Sequence, residues 1–259
     1  MTMYVISHKE FNYPLPKDYQ PLLVGAKNNK GPADYIHDDT GENISAKNPS
    51  YCELTGVYWL WKNLSTNNNI GISHYRRYFT GISSYYQLYI STLLKGKQRP
   101  ISVQKLDKIL KNYDWIITSP EKLQEGSIKK HFEHCHNISD LLTTRQVIKE
   151  KYPEYIESFD KFLESDQSSF YNMFYTSRSE FNQYSQWLFD ILFEVEKRVD
   201  ISNYDSYQQR LFGFLGERLL NVWLLHRHAK VKYLTVYNSE EVNRIWAAKQ
   251  IKHKILKWG

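Results

Sequence analysis

Cysteine is nearly absent from this sequence. Cys52 and Cys135 are its only two, and neither belongs to a Cys-x-x-Cys pair. No apolar secretory core follows Met1, because MTMYVISHKEF meets charge by Lys9 and Glu10. Together these features predict a cytosolic protein with reduced thiols. No run approaches the roughly 20 apolar residues that cross a bilayer, which excludes an integral α-helical membrane protein. Also missing are a Walker A loop, a Gly-x-Gly-x-x-Gly turn and a Gly-x-Ser-x-Gly elbow, so P-loop, Rossmann-dinucleotide and α/β-hydrolase chemistry are set aside. Repeats and low-complexity tracts do not occur.

What is present is ordinary in bulk and unusual in detail. The 259 residues are 41% hydrophobic and 24% charged, enough for one α/β domain with a small appendage. Aromatic residues reach 15%, with 21 Tyr, 12 Phe and seven Trp. Such rings stack on sugars and bases at a cleft mouth, although most of them build core. The net charge is +6. Basic charge of this size serves nucleic acid, anionic lipid or a phosphorylated substrate. With no zinc-ligand spacing and no nucleic-acid motif, nucleic acid ranks last.

The chain opens on a strand, MYVISH, and a second apolar segment, YQPLLVGA, follows the Pro14/Pro16 turn. Residues 27–50 read as a long polar loop. Asn48 and Pro49 then signal a helix start, and Leu54, Val57, Tyr58 and Trp61 fall on one helical face. IGISHYRRYF is a strand running into a cationic cluster. Residues 82–104 lack pattern and predict a mobile insertion. A helix (SVQKLDKILKNY), a buried strand (DWIITSP) and a helical stretch over 127–163, broken at Pro153, come next. A strand (FYNMFYTS), two long apolar helices (SEFNQYSQWLFDILFEVEKRV and GFLGERLLNVWLLHRH) and a last strand (VKYLTVY) complete the domain. Strands alternating with helices predict a mixed, mostly parallel sheet covered on both faces, with helical additions in the C-terminal half. We place this domain at residues 1–240. Residues 241–259 then form a basic helix, in which Ile245, Trp246, Ile251, Ile255 and Trp258 alternate with lysines. That pattern suits either an anionic membrane surface or packing on the domain with solvated lysines.

Within SHYRRYF, His74, Tyr75, Arg76 and Arg77 sit at a strand's C-terminal end, where open α/β sheets bind ligands. Planar guanidinium donors match phosphate oxygens in pairs. Neighbouring strand residues point to opposite faces, so one arginine of the pair is expected to point away from a ligand. The loop DYIHDDTGENISAKN holds Asp34, His37, Asp38, Asp39, Glu42 and Asn43, suited to a ribose, a uracil edge or a divalent cation, or simply to water. Glu217 follows two glycines at the expected start of an apolar helix. A carboxylate there gains from the helix dipole and is held firmly enough to act as a base, while the glycines allow close substrate approach. His131, His134 and His136 beside Cys135 raise a metal reading, but without a recognised ligand spacing.

The run from Asp38 through DTGENISAKNPSYCELTGVYWLWKN, followed by IGISHYRRYF, resembles a family long labelled only as a domain of unknown function. Its members occur in capsular and exopolysaccharide clusters, and some are galactofuranosyltransferases. YPEY, YNMF, WLFDILFE and FGFLGERLLNVWL match the same family, so the resemblance covers residues 4–238. It implies a GT-A-like fold and transfer from a UDP-sugar, such as UDP-galactofuranose, to a lipid-linked or oligosaccharide acceptor in capsule, exopolysaccharide or lipopolysaccharide synthesis. In GT-A enzymes the comparable strand ends in Asp-x-Asp and holds a divalent metal. Here it reads His74-Tyr75-Arg76, which favours a metal-independent site over one using Mn²⁺ or Mg²⁺. The expected nucleotide and diphosphate contacts are His74, Tyr75, Arg76, Arg77, Asp38, Asp39, Asn43, Ser45 and Asn48. By the same resemblance Glu217 is the base if the reaction inverts, a retaining outcome being the alternative, with Arg218, Asn172 and His136 facing the acceptor. The location implied is cytoplasmic, peripheral at the inner membrane face. A non-catalytic glycan-binding or scaffold subunit, which would ignore UDP, is the alternative.

Overall fold

The computed structural model describes residues 1–82 and 84–256, without the side chains of residues 254–256. The side chain of Ile255 and residue Trp258, both assigned above to the basic C-terminal helix, lie outside the described residues. In chain order the strands are β1 (Thr2–Ser7), β2 (Tyr19–Leu23), β3 (Ile36–His37), β4 (Ile70–His74), β5 (Arg77–Phe79), β6 (Trp115–Thr118), β7 (Glu121–Lys122), β8 (Gln167–Ser168), β9 (Phe174–Thr176), β10 (Val231–Leu234) and β11 (Val236–Asn238). The helices are α1 (Asn48–Tyr51), α2 (Leu54–Asn63), α3 (Tyr85–Lys95), α4 (Val103–Leu110), α5 (Ile128–Cys135), α6 (Ile138–Lys151), α7 (Ile156–Leu163), α8 (Arg178–Glu196), α9 (Leu211–His226) and α10 (Arg244–Leu256).

The main sheet runs β10-β6-β9-β4-β1-β2-β3, with β5 hydrogen-bonded to β4 and β11 to β5. β1 is parallel to both β2 and β4, β2 to β3, and β10 to β6. β9 is antiparallel to β4 and β6. This is the mixed, mostly parallel sheet the alternation predicts. β1 shows why its apolar run is nearly continuous. Tyr4 and Ile6 enter the core under α2 and α6–α9, while Met3 and Val5 enter a second core that includes Val103 and Leu106 of α4. A strand buried on both faces has no polar side to alternate with. At Gly71 in β4, a Cβ would stand 2.5 Å from Tyr175 and 2.7 Å from Met3. Only glycine lets these three strands pack at that point.

The structure departs from the sequence reading where regular elements break. Helix formation after Pro49 lasts one turn, because Cys52 takes φ +50° and α2 begins afresh at Leu54. FYNMFYTS is strand only over Phe174–Thr176, because Tyr171 and Asn172 take φ +81° and +48°. IGISHYRRYF is two strands, with His74 pairing Arg77 across a turn at Tyr75 and Arg76. VKYLTVY likewise divides at Thr235, whose backbone turns from pairing with β6 to pairing with β5. Residues 82–104 contain α3, which sequence reading missed. This helix buries Leu88 and Thr92 but turns Ile90, Leu93 and Leu94 outward, and that erases the expected periodicity.

Candidate active site

A cavity of about 820 Å³ lies at the C-terminal ends of β1, β2 and β4. Ser7 and His8, Val24, and His74 through Arg77 form that wall. The crevice outside the carboxyl ends of parallel strands is where open α/β sheets take ligands. A second wall is one face of α9, carrying Gly213, Phe214, Glu217 and Arg218. The break after α1 brings in Cys52 and Glu53, and the loop before β9 brings in Phe170 and Tyr171.

The turn after β4 changes the expectation for the arginines. With the strand reversing at Tyr75–Arg76, both arginines line the cavity instead of only one. Arg77 lies 4.4 Å over the Tyr171 ring, and Arg76 pairs with Glu240 at 3.2 Å. The Nε of Arg76 is buried without a partner in the protein, as is His74 Nε2. Burial, helped by Arg77 and Arg76, pushes the His74 pKa down to about 3, so the ring is neutral near pH 7.

Glu217 is the most tightly held acid of the α9 wall. Oε1 accepts the Tyr171 N–H at 2.9 Å, and Oε2 accepts from Arg218 Nη1 at 2.9 Å. A carboxylate has about four acceptor positions, which leaves lone pairs for the cavity. Burial raises its pKa, while Arg218, the Tyr171 N–H and Arg77 oppose that rise. Its place in the helix corrects the sequence reading. α9 begins at Leu211, so Glu217 is past the first turn and gains little from the helix N-terminus. Gly216 serves packing, since a Cβ there would meet Leu54 at 2.8 Å.

Glu53 was missed. It stands beside the positive-φ Cys52, and its Oε1 accepts from Asn172 Nδ2 at 2.6 Å. Burial first, and then the charge of Glu217, push its pKa up to about 7. The acid within the Tyr-Cys-Glu-Leu motif was visible in the sequence, but nothing local marked the break that turns it into the cavity. Tyr171 and Asn172 therefore hold one carboxylate each, from a pair of left-handed residues that cost backbone strain.

The other expected residues divide. Arg218 lines the cavity and is nearly fully buried, with Phe132 and Phe170 rings 5.4 Å from its guanidinium. His136 also lines it, stacked on Phe214 at 4.2 Å and bonded to Gln208 at 3.0 Å. Burial holds its pKa at about 4. Asn48 reaches the cavity, although its amide donates to the Cys52 carbonyl at 2.8 Å. Asn172 stands behind the wall, bonded to Glu53 and to the Gly213 carbonyl.

Asp38, Asp39, Asn43 and Ser45 do not line the cavity. The Asp38 carboxylate is fully buried and accepts the Gly25 and Ala26 N–H groups and the Ser45 hydroxyl. It shapes the loop after β2. Asn43 bonds the Asp39 and Gly41 carbonyls at the surface. His131 and His134 both bond Glu125. Among the described residues no group of three or more His, Cys, Asp or Glu side chains is arranged to hold a metal.

The family described as "Domain of unknown function (DUF4422)" matches residues 2–228. No curated protein matches the chain. A solved apo structure of the WbbM bifunctional glycosyltransferase is similar over 91% of this chain, at 26% identity and a TM-score of 0.79. The similar region is 44% of that protein, so the chain spans less than half its length. The likeness shows a GT-A-like α/β fold.

Proposed function

This chain belongs to the DUF4422 family, and from that membership and the cavity above we propose that it is a glycosyltransferase. In our reading it moves a sugar from a UDP-sugar to a lipid-linked glycan, as a step of capsule, exopolysaccharide or lipopolysaccharide synthesis. The family resemblance favours galactofuranose as the sugar. The observation that carries the reading is that two arginines at the sheet edge and a partly buried, doubly hydrogen-bonded carboxylate, Glu217, line one cavity.

Each wall then has a chemical task. The acceptor hydroxyl attacks the anomeric carbon as the bond from that carbon to the UDP diphosphate breaks. Glu217 takes the hydroxyl proton, and UDP leaves with the bonding pair. Arg76 and Arg77 meet the charge that develops on the diphosphate, a stabilisation that is strongest where water is excluded. Burial makes Glu217 a stronger base, and two fixed hydrogen bonds orient it. His136 and Arg218, on the α9 side, are the acceptor-facing groups. Attack from the α9 side opposite the departing diphosphate inverts the anomeric centre.

A divalent cation fits this donor set poorly. The strand tip that carries Asp-x-Asp in other GT-A enzymes offers a neutral imidazole and two guanidinium groups. The test is calorimetric titration of UDP with and without EDTA, followed by transfer assays over a panel of UDP-sugars. Failure to bind UDP under either condition overturns the reading in favour of a glycan-binding subunit. Donor cleavage at full rate without acceptor indicates a hydrolase.

A further inference from the structure

We propose that α3 and α10 together form a docking face for a membrane surface rich in anionic lipid. Sequence alone left the C-terminal helix either to such a surface or to packing on the domain. The structure alters that assignment. Trp246 of α10 packs edge-on against Tyr89 of α3 at 5.1 Å, and Ala247 is fully buried. Much of the apolar surface of α10 is thus used to hold α3, and the outward apolar surface comes mainly from α3.

Ile90, Leu93 and Leu94 of α3 and Ile245 of α10 are all exposed. Leu94 at 70% and Ile245 at 72% are the two most exposed large hydrophobic residues among those described. They belong to one patch, because Arg244 donates to the Leu94 carbonyl at 3.5 Å. Contiguous exposed apolar side chains of this kind mark an interaction surface.

Charge identifies the occupant. Residues 82–102 and 242–259 contain eight Lys and Arg and no Asp or Glu. The chain as a whole carries +6, so everything outside these two segments carries a net −2. Lys95, Lys97, Arg99, Arg244, Lys249 and Lys252 are all exposed. Exposed aliphatic side chains on two segments that carry cations and no acid match an interface whose headgroups are negative and whose interior is hydrocarbon. Nucleic acid would leave the leucines without a partner.

The face is also tied to the cavity. In the turn between β11 and α10, the Ser239 N–H donates to the Arg76 carbonyl at 2.8 Å, and Glu240 pairs with the Arg76 guanidinium. Docking through α3 and α10 would hold the cavity close to the lipid surface. The inference rests on exposure and charge and is independent of the proposed reaction.

The test is co-sedimentation of the full chain with phosphatidylcholine vesicles, with and without phosphatidylglycerol. Binding is expected only when phosphatidylglycerol is present, and it should weaken at high salt as surface charge is screened. Leu94→Asn combined with Ile245→Asn should lower the partition coefficient at least about fivefold, as should Lys95→Gln combined with Lys97→Gln. Circular dichroism checks that each variant folds, and Glu217→Gln serves as the control expected to bind like the parent. Absence of binding to anionic vesicles, or unchanged binding by both double variants, overturns the proposal. A dimer in light scattering that becomes monomeric in the Leu94/Ile245 variant, with no vesicle binding by the parent, reassigns the face to self-association.

Discussion

Replacing Glu53 by Gln should make this protein more stable at neutral and alkaline pH. Glu53 is folded against Asn172 within range of the Glu217 charge, and its carboxyl pKa rises from the usual 4.5 to about 7. In the unfolded chain it ionises at the lower value. Between the two, the folded state binds the extra proton, so stability falls as pH rises and the loss is complete above about pH 7. A shift of this size corresponds to about 3 kcal/mol at about 1.4 kcal/mol per unit. Gln carries no charge to desolvate, and its Oε1 can still accept from Asn172. Glu53→Gln should therefore raise the melting temperature by roughly 6–12 °C at about pH 8.5, taking 2–4 °C per kcal/mol for a chain of this size. Near pH 4, where the wild-type carboxyl is protonated in both states, the two proteins should melt together. Thermal unfolding followed by circular dichroism at both pH values measures this. In a Glu217→Gln background the gain should shrink, because one of the two causes of the shift has been removed. A Glu53→Gln protein that melts no higher than wild type at the alkaline pH refutes a desolvated, charge-coupled Glu53.

Glu217→Gln should keep the fold and UDP binding but lose about 10²–10⁴ of the transfer rate, since the amide cannot take the acceptor proton; retention of more than about a tenth of the rate defeats that assignment. Arg77→Ala should weaken UDP binding about 10-fold or more in calorimetry, the effect of losing one hydrogen bond between charged groups, and unchanged affinity would remove Arg77 from the diphosphate site. Binding of UDP in EDTA should stay within a few-fold of its value with Mn²⁺, and complete loss would return a metal to the reaction. Gly71→Ala should destabilise the sheet by about 1–3 kcal/mol in denaturant titrations, because the new methyl meets Tyr175 and Met3; a neutral result would mean that β4 can shift to make room.

Much of the fold is legible in the sequence because it depends on local periodicity. β1 and β4 read as strands, and α8 and α9 read as helices, since each buries a continuous stripe or run that needs no distant information. The cationic cluster at residues 74–77 and the acid at 217 were visible for the same reason. Each is a charged side chain set in or beside an apolar run, the first at the end of β4 and the second within α9. What the tertiary structure decided was which polar groups share one space. The cavity is shaped by Cys52, by the turn at Tyr75 and Arg76, and by Tyr171 with Asn172. At none of these breaks does a glycine or proline announce the bend, and the backbone is held there by contacts from elsewhere in the chain. For that reason Glu53 went unnoticed, both arginines line a cavity expected to receive one, and Asp38 supports the loop after β2 instead of lining the cavity. The exposed face of α3 follows the same logic. A helix whose apolar residues point outward has no inward stripe to read, and only its packing against α10 shows that it is a helix with a surface to offer.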